Sequence, residues 1–453
     1  MTAPDWQYYS AVPGIGWPAI PGKAPAALLA LQFQLERSQW LEPEKLLDFQ
    51  FRQLEVLLRH AYATVPYYRE HWHELYDPRQ PLDAGRFSRL PLLTRSDLQG
   101  NFDALKSSDV PATHRPVGEA RSSGSTGMPV RVLKSGLTRL LWQAALLREH
   151  VWHRRDLSGR LAVIRHGVKA GEANTWGTPL RGLAKTGPAV QLPTSVAVGA
   201  QLRWLEEQQP DYVLTYPSNL NELLRLSLER GTRLPRLREA RTLGEVVPPE
   251  LRALCREAWG VPVVDAYSAQ EVGYFALQCP DQEHYHVQSE SVMLEVVDAQ
   301  GRACVPGQAG LIVVTPLHNF AMPLVRYVMG DYAEVGERCG CGRGLPVLAR
   351  IMGRVRNMLV TAAGERYWPS FGTRKLTNIA PILQHQFVQK SHDLIEARLV
   401  MAAPLTLEQE DELRQHVLSR LPAGFQMNFV YCQQIPRSAG GKFEDFISEV
   451  ATA

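Results

Sequence analysis

Apolar residues recur at three- and four-residue spacings in Leu28 to Trp40 and Glu44 to Ala63, which predicts two amphipathic helices in a helical first hundred residues. Val65-Pro66-Tyr67-Tyr68 breaks the second pattern, and Leu90-Pro91-Leu92-Leu93-Thr94 reads as an extended entry to a short capped helix at Arg95 to Leu98. Gly136 to Trp152 is again helical. From Leu161 the period alternates. Strands are expected at Leu161 to Ile164, Tyr212 to Thr215, Glu239 to Leu243 and Val263 to Tyr267, with helices at Val198 to Gln208, Asn219 to Glu229 and Pro249 to Trp259. Such alternation predicts an α/β fold with a largely parallel sheet, whose ligands sit beyond the carboxyl ends of the strands. Leu243-Gly244-Glu245 and Asp265 to Glu271 fall at those ends. Short strands with turns from Val287 to Val335 predict an antiparallel β segment. The tail differs again: strands at Gln386 to Gln389, Ile395 to Met401 and Asn428 to Tyr431, with a helix at Thr406 to Leu421, predict a small α+β unit of ferredoxin-like type. The expected division is 1–352, comprising a helical part (1–110), a loop (121–132), an α/β part (133–275) and a β segment (276–352), followed by 353–453, with a hinge near Met352 to Arg356.

One stretch does not serve packing. Arg121 to Val132 reads R-S-S-G-S-T-G-M-P-V-R-V, where hydroxyls, glycines and successive N–H groups offer the concave donor set that holds a phosphate chain. It lacks the Walker A spacing. Composition narrows the classes further. The chain has 453 residues, 45% of them hydrophobic, and exceeds the size at which one core stops growing. Its net charge of +3 gives no global field for nucleic acid or anionic lipid. No basic segment leads into an apolar run at the N-terminus and no stretch is apolar enough for a membrane span, so a cytoplasmic protein is expected. The six cysteines are too scattered for a disulfide framework, but Cys339 and Cys341 flank one glycine, and Cys279 precedes His284 and His286. Three thiolates and one imidazole suit tetrahedral zinc, with either histidine as fourth ligand.

Taken in order, R-S-S-G-S-T-G-M-P, L-G-E-V at Leu243, Y-S-A-Q-E at Tyr267, R-Y-V-M-G-D at Arg326, G-R at Gly353 and P-R-S-A-G-G-K-F at Pro436 resemble the adenylate-forming superfamily. V-P-Y-Y-R, L-P-L-L-T-R and C-x-C-G-R resemble its phenylacetate-CoA ligase and coenzyme F390 synthetase (CapK-like) branch. The resemblance implies a ligase that uses ATP and Mg2+ to convert a carboxylic acid to an acyl-adenylate, releasing pyrophosphate. The acyl group then passes to a thiol, CoA first, with an amine or a carrier protein behind it; a non-transferring accessory protein of the same fold is the other class. It also implies a mobile C-terminal domain. Ser122, Ser123, Gly124, Ser125, Thr126 and Gly127 would hold the β- and γ-phosphates, Glu271 would help bind Mg2+, and Asp331 would accept from the ribose hydroxyls. Gly244 and Glu245 would line the adenine, with Tyr267, Ser268 and Gln270 beside the nucleotide. Arg354 matches the hinge arginine, Lys442 the lysine that reaches the α-phosphate, and His286 the metal ligand within H-V-x-x-E, alongside Cys279, Cys339 and Cys341.

Three departures stand out. Ser268-Ala269-Gln270 replaces the usual G-x-T, which removes a phosphate-contacting threonine. Asn357 stands where an aspartate usually serves the hinge, and Gly364 to Pro369 is bulky. For the acid, Trp142, His166, Trp176 and Tyr216 are pocket candidates suited to an aryl or hydrophobic acid, with His166 to Gly177 read as a possible lid over it. Beyond the acid, ATP and the acceptor (CoA, an amine or a carrier protein), no nucleic-acid or membrane partner is expected, and a homodimer is left open.

Overall fold

The computed structural model describes residues 6–122, 129–177, 180–369, 371, 373–437 and 442–450, apart from the side chains of 355 and 373–375. The chain divides into two compact units, Met1–Ile351 and Met352–Ala453.

The first unit is built on a twelve-stranded sheet that is parallel in one half and antiparallel in the other. In the parallel half, Leu161–Arg165 lies between Ala189–Pro193 and Tyr212–Thr215, followed outward by Glu239–Leu243 and Val263–Ala269. The helices Val198–Gln208, Pro217–Arg230 and Pro249–Trp259 return the chain between these strands. Their apolar stripes, including Leu202, Leu220, Leu224 and Leu251, meet Ala162, Ile164, Val213 and Ala240 in one dry layer. Each of the last two helices stops at a glycine in the left-handed region, Gly231 (φ 68°) and Gly260 (φ 72°).

In this sheet the strand pairs described from Gly273–Gln278 onward are antiparallel, and the short strands and turns predict such a segment from Val287. The N-terminal helices cover this half. Leu54, Leu58 and Ala61 of the helix Pro43–Thr64 share a core with Phe275, Ile312 and Val314. Pro66 interrupts that helix and immediately starts another, Pro66–His71, because a proline is tolerated at the first helical position. The capped helix after Leu93 runs Arg95–Gly100, with Thr94 and Asp97 forming a reciprocal capping box.

Several elements differ from the sequence reading. Val117–Arg121 and Arg131–Ser135 form a separate two-stranded hairpin around the Ser/Gly stretch. Gly171–Ala173, inside the segment read as a lid, is an antiparallel edge strand on Ala189–Pro193. That second strand, short and proline-ended, was not expected either.

The second unit carries a four-stranded sheet. Ile382–Ser391 and Leu394–Met401 form its central antiparallel pair, flanked in parallel by Phe446–Ser448 and Gln426–Tyr431 respectively. The helix Leu407–Leu418 packs Leu413 and Val417 against Ile395, Ala397 and Met427.

Candidate active site

The Ser/Gly stretch leaves and re-enters the fold through a closed neck. Ser122 and Val130 form a reciprocal pair: the Ser122 N–H donates to the Val130 carbonyl, and the Val130 N–H donates to the Ser122 hydroxyl, both at 2.9 Å. Glu119 clamps the two strands by accepting from Arg121 (2.8 Å) and Arg131 (2.7 and 2.9 Å). Val130 and Val132 are buried in the main core, so the hairpin base is anchored. Ser123, Gly124, Ser125, Thr126 and Gly127 lie outside the described residues.

Two of the expected nucleotide contacts meet directly. The Tyr267 hydroxyl donates to Asp331 Oδ2 at 2.6 Å, although the two residues are 64 positions apart. Tyr267 stands at a register shift between Tyr267 and Ser268, where the strand Val263–Ala269 turns its last residues away from strict pairing. Beyond it Glu271 is buried, Gln270 is exposed, and Gly273 takes φ 107°, a conformation that a side chain would strain. Asp331 lies on Tyr327–Val335, and the family-like strings at the start of the chain brace that strand. The Tyr68 hydroxyl donates to the Pro323 carbonyl (2.8 Å) and accepts from the Val325 N–H (3.0 Å). Leu93 and the 326–328 segment exchange backbone bonds at 3.0 and 2.9 Å.

Arg326 of R-Y-V-M-G-D is buried in the left-handed region (φ 50°). It donates two bonds to Glu295, at 3.1 and 2.9 Å, and another to the Leu90 carbonyl. Its work is to hold the strand that presents Asp331. The sequence reading did not single out Glu295.

At the other strand ends, Gly244 takes φ 80°. The Glu245 carboxylate accepts from the Ser218 N–H at 2.9 Å, satisfying a free donor at the start of the helix Pro217–Arg230. Lys134, on the strand leaving the Ser/Gly stretch, was also overlooked; burial pushes its ammonium below the usual lysine range, and the charge of Glu271 acts against that shift. A lone lysine in a short strand carries no motif, so only the three-dimensional proximity reveals it.

The four pocket candidates separate. Trp142 stacks on Tyr274, with ring centroids 6.0 Å apart, and passes within 3.9 Å of where a Cβ on Gly273 would stand; it therefore borders the Glu271 turn. Tyr216 is buried at the end of its parallel strand. Trp176 lies elsewhere, donating from Nε1 to the Gly159 carbonyl (2.9 Å) just before the start of Leu161–Arg165, and packing on Tyr212 and His150. It is core at the opposite ends of the strands. His166 is exposed, next to Gly167.

In the second unit, Arg354 ends its strand half-buried, and its N–H donates to Asn357 Oδ1 at 3.0 Å. The Asn357 amide donates in turn to the Phe446 carbonyl at 2.8 Å. Asparagine thus accepts at one atom and donates at the other, which an aspartate carboxylate cannot do. Arg356 pairs with Glu444 at 2.7 Å, two residues after Lys442. Lys442 is partly buried, and residues 438–441 before it are outside the described set.

A sulfur- and imidazole-rich cluster lies at the far side of the antiparallel half. Cys279 Sγ and Cys339 Sγ are 3.8 Å apart, and Cys341 Sγ is 3.4 Å from His286 Nε2. The other ring nitrogen of His286 faces the Leu345 carbonyl at 3.4 Å, an orientation that leaves Nε2 for a ligand. His284 also belongs to the cluster: the ligand atoms of Cys279, His284, His286 and Cys339 lie within 4.8 Å of one another. The four expected ligands thus do not form one group: Cys279, His284, His286 and Cys339 make one set, and Cys279, Asp281 and Cys341 make a second that shares Cys279. Arg343 is buried beside them, stacked between Trp40 and Trp152, and its Nη1 and Nη2 have no hydrogen-bond partner. Glu290 of H-V-x-x-E accepts from Arg148 at 2.8 Å and contributes no ligand atom.

Comparison with known proteins agrees with this geometry. No family model matches the chain. The phenylacetate-coenzyme A ligase of Thermus thermophilus is 27% identical over 375 residues, covering 79% of this chain and 82% of that protein. The enzyme of the same name from Pseudomonas putida is 24% identical over 426 residues, covering 88% and 93%. In fold, the chain is similar to 2-hydroxyisobutyryl-CoA ligase in its postadenylation state with 2-HIB-AMP (TM-score 0.70, 20% identity, 88% and 89% covered). It is also similar to the anthranilate CoA ligase AuaEII in complex with anthranoyl-AMP (TM-score 0.54, 16% identity, 89% and 79% covered). A split parallel and antiparallel sheet, a second α+β unit and an alignment spanning most of the chain thus point the same way: over most of its length the chain is similar to phenylacetate-coenzyme A ligases.

Proposed function

We propose that this protein activates a carboxylic acid with ATP and transfers the acyl group to CoA. In the first step an acid oxygen bonds to the α-phosphorus as the bond to the pyrophosphate oxygen breaks. In the second, the CoA sulfur takes the acyl carbon, AMP leaves, and the thiol proton is released. The observation that carries this reading is the Tyr267–Asp331 hydrogen bond at 2.6 Å, which joins two motifs of the superfamily at the strand ends beside buried Glu271. An ionised Asp331 has lone pairs for two hydroxyl donors of a ribose while Tyr267 holds its other edge. Ser122 to Gly127 would cradle the pyrophosphate, and Gly244 would let the backbone approach the adenine. Glu271 offers a hard oxygen for Mg2+, which would neutralise phosphate charge. Lys442 and Arg354 would meet the α-phosphate and ribose. CoA is favoured over an amine or a carrier protein because the similar proteins are named CoA ligases.

Adenylation is tested by pyrophosphate release from ATP over a panel of aryl and aliphatic acids, without CoA. We expect Lys442→Ala to lower that rate by a factor of about 100 to 1,000, the usual cost of losing one charge-stabilising donor, while ATP binding survives. An unchanged rate would remove Lys442 from the mechanism.

We also infer a structural zinc at the Cys/His cluster. Zinc–sulfur bonds of about 2.3 Å put two tetrahedral sulfurs about 3.8 Å apart, which fits the Cys279–Cys339 separation. Buried Arg343, whose Nη1 lies 3.6 Å from Asp281 and whose Nη2 has no hydrogen-bond partner among the described residues, suits a neighbouring thiolate charge. Protein purified without chelator should hold one zinc per chain, and Cys279→Ser should lose it; metal-free protein of unchanged melting temperature would sink the inference. Comparing Cys341→Ser with His284→Asn in the same assay decides which of the two completes the four.

A further inference from the structure

The strand Leu161–Arg165 ends on a cation that pairs with no carboxylate among the described residues. Along this strand Ala162 and Ile164 face the layer covered by the three crossover helices, whereas Leu161 and Val163 face the other way, against Tyr212, Leu214 and Trp176. Arg165 continues the second face. The register that sets Val163 opposite Leu214 brings Arg165 level with Tyr216, two residues further on. Its backbone is fixed, with its carbonyl accepting from the Thr194 N–H at 3.2 Å. Its Nε is buried without a hydrogen-bond partner, and no carboxylate among the described residues lies within ion-pair distance of its guanidinium. The residue as a whole is half-buried, with its Nε enclosed. Its charge is felt by the phenol of Tyr274, which stacks on Trp142 beside the Glu271 turn.

A guanidinium held in such a place without an acceptor costs desolvation that no described hydrogen bond or ion pair offsets. In a pocket meant for a purely apolar acid it would be a liability. Arginine's planar fork matches a carboxylate, two parallel N–H donors to two oxygens. We propose that Arg165 recognises a second carboxylate on the acid substrate, at the end remote from the carboxyl group that is adenylated. The substrate class is then a dicarboxylic acid whose body lies against Trp142, Tyr216 and Tyr274. This narrows the aryl or hydrophobic acid expected from the aromatic residues alone, and it rests on the acid lying at this edge of the sheet.

An anion at Arg165 comes either from the acid or from the phosphates of the thiol acceptor, so the acid is tested without CoA. Binding of phenylacetate, para-carboxyphenylacetate, hexanoate and adipate is measured by calorimetry in the presence of a non-hydrolysable ATP analogue, and pyrophosphate release from ATP is measured in parallel. The unaltered protein should prefer each dicarboxylate to its monoacid partner by about 10- to 100-fold, the range of hydrogen bonds between charged groups. Arg165→Met should erase that preference and leave the monoacids within about twofold. Arg165→Lys should restore part of it, and melting temperatures of both variants should match the parent. Equal binding of mono- and diacids by the parent overturns the proposal. So does a uniform loss for all four acids in Arg165→Met, or an effect confined to the KM for CoA in the complete reaction. Selective diacid binding without pyrophosphate release would uphold Arg165 and overturn adenylation; pyrophosphate release with no diacid preference would do the reverse.

Discussion

The two ends of the parallel strands treat charge in opposite ways. Around their amino ends the charges neutralise one another. Arg155, fully buried, donates to Glu149 (2.8 Å) and Glu239 (2.7 Å), Arg241 reaches Glu149 at 3.1 Å, and Asp211 accepts from Arg236 at 3.2 Å. At the carboxyl ends, buried Glu271 has no ion-pair partner within 4.0 Å among the described residues, and neither has Arg165. One end is closed by its own ion pairs, whereas at the other these two charges have no such partner among the described residues. The rule that ligands bind beyond carboxyl ends thus has a visible electrostatic counterpart in this sheet.

Cutting into the paired end should have the largest effect on stability. Arg155→Met removes a cation shared by two buried carboxylates, and the charge left uncompensated should cost about 3–5 kcal/mol. Urea unfolding should show a correspondingly lower midpoint. If Arg155→Met were as stable as the parent, the paired end would not be the structural one, and the contrast with Arg165 would collapse.

Asp265 lies between the two ends and tests the comparison through pH. It accepts from Thr242 (2.6 Å) and Tyr285 (2.8 Å), yet burial raises its carboxyl from the usual range to about 6. A carboxyl that holds its proton more tightly when folded favours the fold at low pH. Between about pH 4 and pH 6 the unfolded chain ionises first, so this group withdraws about 3 kcal/mol of stability across that window and nothing further above it. Other carboxylates slope the opposite way, Glu290 among them, so the readout is the difference between parent and Asp265→Asn in unfolding free energy from pH 4 to pH 7. The variant should gain on the parent as pH rises. Parallel curves would mean that Asp265 is ionised in the fold throughout and that its partners suffice.

The alternating half of the fold was legible because each element there repeats its own period. Val198–Gln208, Tyr212–Thr215, Glu239–Leu243 and Pro249–Trp259 have the boundaries their patterns predict. Ala189–Pro193 escaped because five residues ending in proline look like a loop. The site was legible as strings but not as roles. Nothing in R-Y-V-M-G-D says that its arginine braces and its aspartate faces Tyr267, since the partners that decide this, Glu295, Leu90 and Tyr267, are 31, 236 and 64 positions away. Trp142 and Trp176 look alike in sequence, and only the sheet separates an aromatic beside the Glu271 turn from one packed, partly buried, at the strand starts. Lys134 and Arg165 belong to no motif. Lys134 matters through its proximity to Glu271 and Arg165 through the described partners it lacks, neither of which a linear string can express.

Glu245 marks where the comparison is finest, because it sits at the open end but has structural work. Its carboxylate accepts from the Ser218 N–H at 2.9 Å, so it stands at the positive end of the helix Pro217–Arg230. Glu245→Gln keeps an oxygen acceptor in the same place and removes only the charge. The expected cost is about 0.3–1 kcal/mol, shrinking as salt is added, because the interaction is that of a partly exposed charge with a helix terminus. On the proposed reading this segment meets the adenine through its backbone, with Gly244 at φ 80°, so adenylation should be nearly untouched. Unfolding at low and high salt checks the first expectation, and the KM for ATP checks the second. A variant of full stability with an ATP KM raised tenfold or more would reclassify Glu245 as a nucleotide contact. The open end would then extend one strand further across the sheet than the unpaired charges alone indicate.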